Sequence, residues 1–393
     1  MYIFDCIVVG GGMVGAASAL SLAELGLTVA VVEQKKPHDF IEDQHFDLRV
    51  SAISLASEHL LTQLDAWPRI AAGRICPYSR LGVWEEALAY TEFNAESIDQ
   101  SHLGHIIENR LIQLALWEKL SSHKNVTLFC PDKLFSFEQS SDAISVALSS
   151  GQLTTKLLIG ADGANSKVRT LANIGLTGWD YQQSAMLINV ETANAQEDIT
   201  WQQFYPSGPV AMLPLAGTSE LGGYASLVWY HHRDEIKRLS LLSNKALQDE
   251  VLQHFPKRLG NIKVLDKAAF PLTRRHANQY QKNRVLLLGD AAHTINPMAG
   301  QGVNLGFKDV KALQTVISTA IADGKCWHDP AVLSGYEKAR RKDNLLMMSM
   351  MDMLSQAFSH PSPLIKMVRN TGLFLANNIS SVKKKALAYA CGV

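Results

Sequence analysis

The first 33 residues constrain this chain more than any other stretch. Ile3 to Val9 is an apolar, β-branched run, the pattern of a buried parallel strand. GGGMVG follows, with Gly10, Gly12 and Gly15 in G-x-G-x-x-G spacing. Met13 to Leu25, rich in Ala and Leu, reads as a helix that stops at Gly26, a residue suited to a helix C-terminus. A second strand, Leu27 to Val32, ends in Glu33. In such a βαβ unit Gly10 permits the tight turn, Gly12 lets a pyrophosphate approach the backbone, and Gly15 lets the helix pack on the strand. The helix N-terminus offers free amides and a positive dipole end to phosphates. Glu33 can accept hydrogen bonds from a ribose diol. A dinucleotide site is expected here; the motif alone does not separate FAD from NAD.

Two later stretches narrow the choice. LLIGADGANSKVR, residues 157–169, runs from an apolar strand into Asp162 and Gly163. RVLLLGDAAHTINPMAGQGVNLG, residues 284–306, ends a strand at Gly289 and Asp290, then passes His293 and Pro297 to Gly300, Gln301, Gly302 and Asn304. Val303, Phe307, Val310, Leu313 and Ile317 recur at helical spacing, so Gly300 to Gly302 stand at a helix N-terminus. That end favours negative charge, such as a reduced flavin carries on its pyrimidine edge. Asp290, at a strand's C-terminal end, is placed to bind ribityl hydroxyls, or else caps its own turn.

These three motifs, with DLRVSAIS, WQQFYPSGP, SLVWY and FPLTRRHA, resemble the group A flavoprotein monooxygenases of the para-hydroxybenzoate hydroxylase-like class. Within it, the chain resembles the ubiquinone-biosynthesis hydroxylases, along essentially its whole length. The resemblance implies that Gly10, Gly12, Gly15 and Glu33 hold the ADP half of FAD. It puts Arg49 near the pyrophosphate or flavin, Asn109 against the cofactor, and Asp162 and Gly163 in a motif serving both FAD and NAD(P)H. Asp290 would bind the ribityl chain; Pro297, Gly300, Gln301 and Gly302, with Asn304, would line the flavin. From the residues alone, Arg49 reads equally as a salt-bridge partner and Asn109 as a helix cap. The implied reaction is ring hydroxylation of a prenylated benzoquinol with NAD(P)H and oxygen, through a flavin hydroperoxide. Another ring hydroxylase of the pathway, a small-phenol hydroxylase and a non-catalytic flavin-bearing scaffold are the alternatives. No catalytic acid or base stands out; His293 is the candidate, with a structural role favoured.

The expected fold is α/β (α+β overall), a Rossmann-like FAD-binding domain with an inserted, mostly antiparallel β-sheet substrate domain and C-terminal helices. Residues 1–75, 100–180 and 275–345 are assigned to the first, 76–99 and 181–274 to the second, and 346–393 to a C-terminal helical region. Strand-like runs at Ala185 to Val190, Trp201 to Tyr205, Val210 to Leu215 and Tyr224 to Tyr230 would make the inserted sheet. Phe204, Tyr205 and Pro206, beside Trp201, would wall a ring pocket or simply fill the core.

Formal net charge is zero, so no basic field invites nucleic acid. The five cysteines include no CxxC pair, which argues against a disulfide framework or a metal site. No secretory leader and no apolar run of membrane-spanning length is seen. A cytoplasmic protein is expected, at most peripheral to the inner membrane. Met347, Met348, Met350, Met351 and Met353 mark a helix that fills core or meets a prenyl tail. From Pro361 onward there are five basic and no acidic residues, which suits an anionic membrane, another protein of the same pathway, or plain solvation. An oligomer is compatible with the sequence.

Overall fold

The computed structural model describes residues 2–41, 44–194, 198–296, 300–360, 362–378 and 380–392. Strands Val285–Leu287, Gly151–Gly160, Tyr2–Val9, Val29–Val32 and Val126–Phe129 lie side by side in that order, each parallel to its neighbour. Their apolar runs are buried because helices Met13–Ala23 and Asn109–Ser122 cover them. A hairpin, Leu134–Gln139 and Ile144–Leu148, adds antiparallel to Gly151–Gly160. The sequence-expected helix from Met13 ends at Ala23, and Gly26 follows with a φ of +86°.

A second, eight-stranded sheet runs His293–Thr294, Ile262–Ala277, Leu176–Thr192, Gly223–His232, Val210–Thr218, Ile199–Gln203, Arg80–Trp84, Thr91–Asn94. Its neighbours are antiparallel except Ile199–Gln203 with Arg80–Trp84. Its strands reach past the boundaries expected from sequence. Leu176 pairs with Ala277 and Asp180 with Thr273, so 176–180 and 275–277 belong to this sheet, not to the nucleotide-binding part. Residues 176–180 are exposed and carry no apolar run, which hid them from pattern reading. Strand Ile75–Tyr78, of which residues 76–78 are expected in the second sheet from sequence, instead joins Gly104–Glu108 and Val50–Ser54 in a small antiparallel sheet between the two.

Alternation sorts the second sheet. Val210, Met212, Leu227 and Trp229 enter one core with Ile199 and Trp201, covered by helices Arg233–Ser240 and Asn244–His254. Ala211, Leu213, Val228 and Tyr230 point to the opposite face, toward the first sheet. Helices Pro330–Ser359, Pro363–Asn378 and Ser380–Cys391 complete the chain. Met347, Met348 and Met351 are buried against Ile295 and Leu305, while Met350 and Met353 are exposed. All five cysteines are free thiols.

Candidate active site

The first glycine turn is built by close approach. Gly10 has a φ of +104°, and a Cβ there would lie 2.4 Å from the Ala161 carbonyl oxygen. A Cβ on Gly15 would lie 1.9 Å from the Gly10 oxygen. Gly12 differs: a Cβ there would meet nothing within 4 Å, and helix Met13–Ala23 starts at it without a side-chain cap. The helix end therefore faces open space with its first amides available. Glu33 Oε2 accepts from the Gly11 amide at 2.6 Å, and Trp117 Nε1 donates to the Gly11 oxygen at 2.7 Å. This fixes the loop over the end of the second strand.

The middle motif braces its own turn. The Asp162 carboxylate accepts from Ser166 Oγ (2.5 Å) and from the Lys167 and Val168 amides, capping the short helix Lys167–Leu171. Gly163 takes a φ of +80° in the turn. Arg169, buried, donates to the carbonyls of Ala164 and Ala291, both at 2.8 Å. Nothing in its spacing announced that it braces the third motif.

The third motif holds the site's other half. Gly289, at a φ of +57°, and Gly306 close around the Val14 side chain, which locks helix Gly302–Ala322 onto the first helix. Asn304 is fully buried: its oxygen accepts from the Ser54 amide and Ser57 hydroxyl, and its amide donates to the carbonyls of Ala52 and Gly300. With its polar atoms so committed, Asn304 pins the helix to the Val50–Ser54 strand and does not face the cavity. His293 is likewise engaged within the protein. It is buried, and its Nε2 lies 2.5 Å from Asp309, which also accepts from the Gly289 amide and Arg340. Burial pushes the Asp309 carboxyl up, but His293 and Arg340 outweigh it and hold it below the usual range. Pro297 lies outside the described residues.

A cavity of about 560 Å³ opens where the sheets meet. Arg49, Ser51, Asn109, Asp290, Gly300, Gln301 and Gly302 stand on one side of it. Asn109 is the first residue of its helix; its Oδ1 accepts from Ser51 Oγ at 2.6 Å. Asp290 turns its exposed surface into this space. Surrounding protein pushes its carboxyl up, partly offset by His293 and Arg49. Gly300, at a φ of +61°, brings the uncapped start of helix Gly302–Ala322 to the same wall. Leu187, Leu213, Val228, Tyr230 and Phe270 of the second sheet stand opposite. Phe204 lines the cavity, whereas Tyr205 packs on the far core and Pro206 is exposed in a turn. Trp201 reaches the cavity edge from the core it shares with Trp84. Met351, Leu354, Leu387, Ala390 and Cys391 roof it from the C-terminal helices, residues that helical periodicity alone does not mark.

These features fit a dinucleotide carrying a flat ring. Open space over Gly12 suits a pyrophosphate, and a second helix N-terminus beside Asp290 suits the ring and its polyol linker. A family model described as FAD binding domain matches residues 4–348. A 3-demethoxyubiquinol 3-hydroxylase of Escherichia coli strain K12 is 45% identical over 98% of this chain and 98% of its own. Ubiquinone hydroxylase UbiL of Rhodospirillum rubrum is 33% identical over 99% of this chain and 89% of its own. The crystal structure of p-nitrophenol 4-monooxygenase PnpA of Pseudomonas putida DLL-E4 superposes with a TM-score of 0.78, at 20% identity, over 98% of this chain and 97% of that one.

Proposed function

This chain belongs to the FAD binding domain family, and from that membership we propose that it hydroxylates the ring of a prenylated benzoquinol in ubiquinone biosynthesis. It is an FAD-dependent aromatic monooxygenase with NAD(P)H as co-substrate. When bound, FAD takes up hydride from NAD(P)H and activates oxygen for insertion into the ring.

The chain's own residues position the parts. Gly10, Gly12, Gly15 and Glu33 form the cradle for the ADP half, and Asp290 with Arg49 and Asn109 borders the linker. Gly300 to Gly302 present a helix end to the ring. Asp162, Gly163, Asn304 and His293 hold the frame rather than the cofactor.

One observation carries the substrate reading. Among the described residues lining the cavity, Arg49 and Asp290 alone are charged, and both lie on the glycine-motif side. The opposite wall is aliphatic and aromatic apart from the uncharged Thr200 and Gln202. A carboxylated substrate there would leave its charge without a partner in low dielectric. An uncharged electron-rich ring with an apolar tail meets no such cost. The E. coli relative supports demethoxyubiquinol as the ring.

We infer that the substrate is delivered from a lipid surface. Among the described residues, no helix is long and apolar enough to cross a membrane. Yet Met353, Leu364, Met367 and Val368 are each more than 60% exposed beside Lys366, and Met351 and Leu354 of the same region line the cavity. An exposed apolar patch next to the roof, where Lys366 pairs with Glu86, suits a peripheral membrane surface.

The test supplies reduced demethoxyubiquinol, NAD(P)H and labelled oxygen to the purified flavoprotein. One labelled ring hydroxyl is expected. Coupled hydroxylation of para-hydroxybenzoate, with none on the quinol, would sink the reading.

A further inference from the structure

Away from the cavity, three metal-ligating side chains converge. Glu58 lies on helix Leu55–Gln63, His105 on strand Gly104–Glu108, and His102 just before that strand. Glu58 Oε2 is 2.8 Å from His102 Nε2 and 3.2 Å from His105 Nδ1. The three ligand atoms all lie within 4.8 Å of one another. Bonds of about 2.0–2.2 Å to imidazole nitrogen and carboxylate oxygen would hold such atoms roughly 3–4 Å apart, so small side-chain rotations close the set onto one ion.

A further observation points to a ligand. His105 is 7% exposed, and its buried Nδ1 makes no aligned hydrogen bond even with Glu58 so near. A buried ring nitrogen left so carries a desolvation cost that a metal bond would remove. His102 Nδ1 lies 2.9 Å from Ser101 Oγ. In the metal-free protein His102 Nε2 donates to Glu58 Oε2; on binding an ion, the Ser101 hydroxyl can take the Nδ1 proton as acceptor, which frees the Nε2 lone pair for the metal, the orientation that metal-bound histidines take. Trp67 stands edge-on to the His105 ring at 5.0 Å and walls the inner side.

We propose that Glu58, His102 and His105 form a binding site for a divalent transition-metal ion, with Zn²⁺ the best fit. Two imidazoles and one carboxylate suit zinc rather than calcium or magnesium, which prefer oxygen. The fourth position opens beside the half-buried His102 and takes water. Helix Leu55–Gln63 continues directly from strand Val50–Ser54, which pairs with Gly104–Glu108. The ion therefore staples the helix to the small sheet that carries Ser51 and Asn109 to the cavity. The cysteine spacing of the sequence does not announce the site, because its ligands come from a helix and a distant His-x-x-His segment.

The test uses untagged, FAD-loaded protein stripped with a chelator, then equilibrium dialysis against Zn²⁺ alone. Cys326 and His328 form a separate thiol–imidazole pair, 3.4 Å apart, so the background is Cys326→Ser. One Zn²⁺ per chain is expected in that background. Adding Ser101→Ala should weaken binding about 10-fold, and adding His102→Gln should abolish it, with the flavin spectrum unchanged in both as proof of folding. Equal Zn²⁺ binding with and without His102→Gln, or none in the background at micromolar free ion, overturns the proposal.

Discussion

The rings of Phe204 and Phe358 stack with centroids 3.9 Å apart and planes 15° apart. Phe204 follows strand Ile199–Gln203 and lines the cavity, and Phe358 sits on the helix whose Met351 and Leu354 roof it. Close by, Arg369 Nε donates to Glu85 at 2.7 Å, a buried pair that ties the next helix to the same sheet. The roof is thus fastened at two points. Phe358→Ala should cost about 3 kcal/mol of stability and raise KM for the quinol, with FAD content retained. Thermal unfolding and steady-state kinetics check this; a normal KM would show that the roof plays no part in substrate binding.

Gly12 and Gly15 should fail in different ways. The Gly12 backbone, at φ −67° and ψ 177°, is open to any residue, and a Cβ there touches nothing. Gly12→Val should therefore leave the apoprotein within about 0.5 kcal/mol of wild type and lose FAD. Gly15→Ala forces a methyl against the Gly10 carbonyl and should destabilise the fold itself by on the order of 1–3 kcal/mol. Flavin content after purification, set beside the melting curve of the apoprotein, separates the two. Full FAD occupancy in Gly12→Val would remove the pyrophosphate assignment.

Asp290→Ala should weaken FAD binding by about 1.5–3 kcal/mol and nearly abolish turnover even with added FAD. Asp290 is the carboxylate that faces the cavity beside the Gly300 to Gly302 helix end. Fluorescence titration of the apoprotein with FAD gives the first number and NAD(P)H oxidation the second. Wild-type turnover at saturating FAD would make Asp290 a turn residue only.

Acid sensitivity should trace in part to His276. Burial pushes this imidazole down, with Arg341, His293 and Arg274 repelling its proton, to about 4 from the usual 6.5. The unfolded chain binds a proton below pH 6.5 that the folded chain refuses until about pH 4. Stability is therefore full above 6.5 and falls through that window, by on the order of 3 kcal/mol. His276→Asn, which keeps a polar group near Tyr280, should flatten this limb. Denaturant unfolding at pH 7 and pH 4.5 gives the comparison, and an equal loss in both proteins would contradict it.

The nucleotide-binding half was legible in the sequence because its signals are local. Strand, turn and helix follow within some thirty residues, and Gly10, Gly12 and Gly15 act through backbone geometry that spacing alone determines. The helix from Gly302 and the eventual strands around Leu187, Leu213 and Val228 were likewise marked by their own periodicity. What tertiary structure alone decided is which polar atoms are left free to act. Asn304, Asp162 and His293 sit in glycine-rich motifs as Asp290 does. Only the packed chain shows that Ser54, Ser57, the Lys167 amide and Asp309 have already taken up their hydrogen bonds, while Asp290 still faces open space. The same holds for Phe204 and Tyr205, neighbours just past strand Ile199–Gln203 whose side chains join different cores. Hydrogen bonds and burial are settled by partners far away in the chain, and a linear pattern carries no record of them.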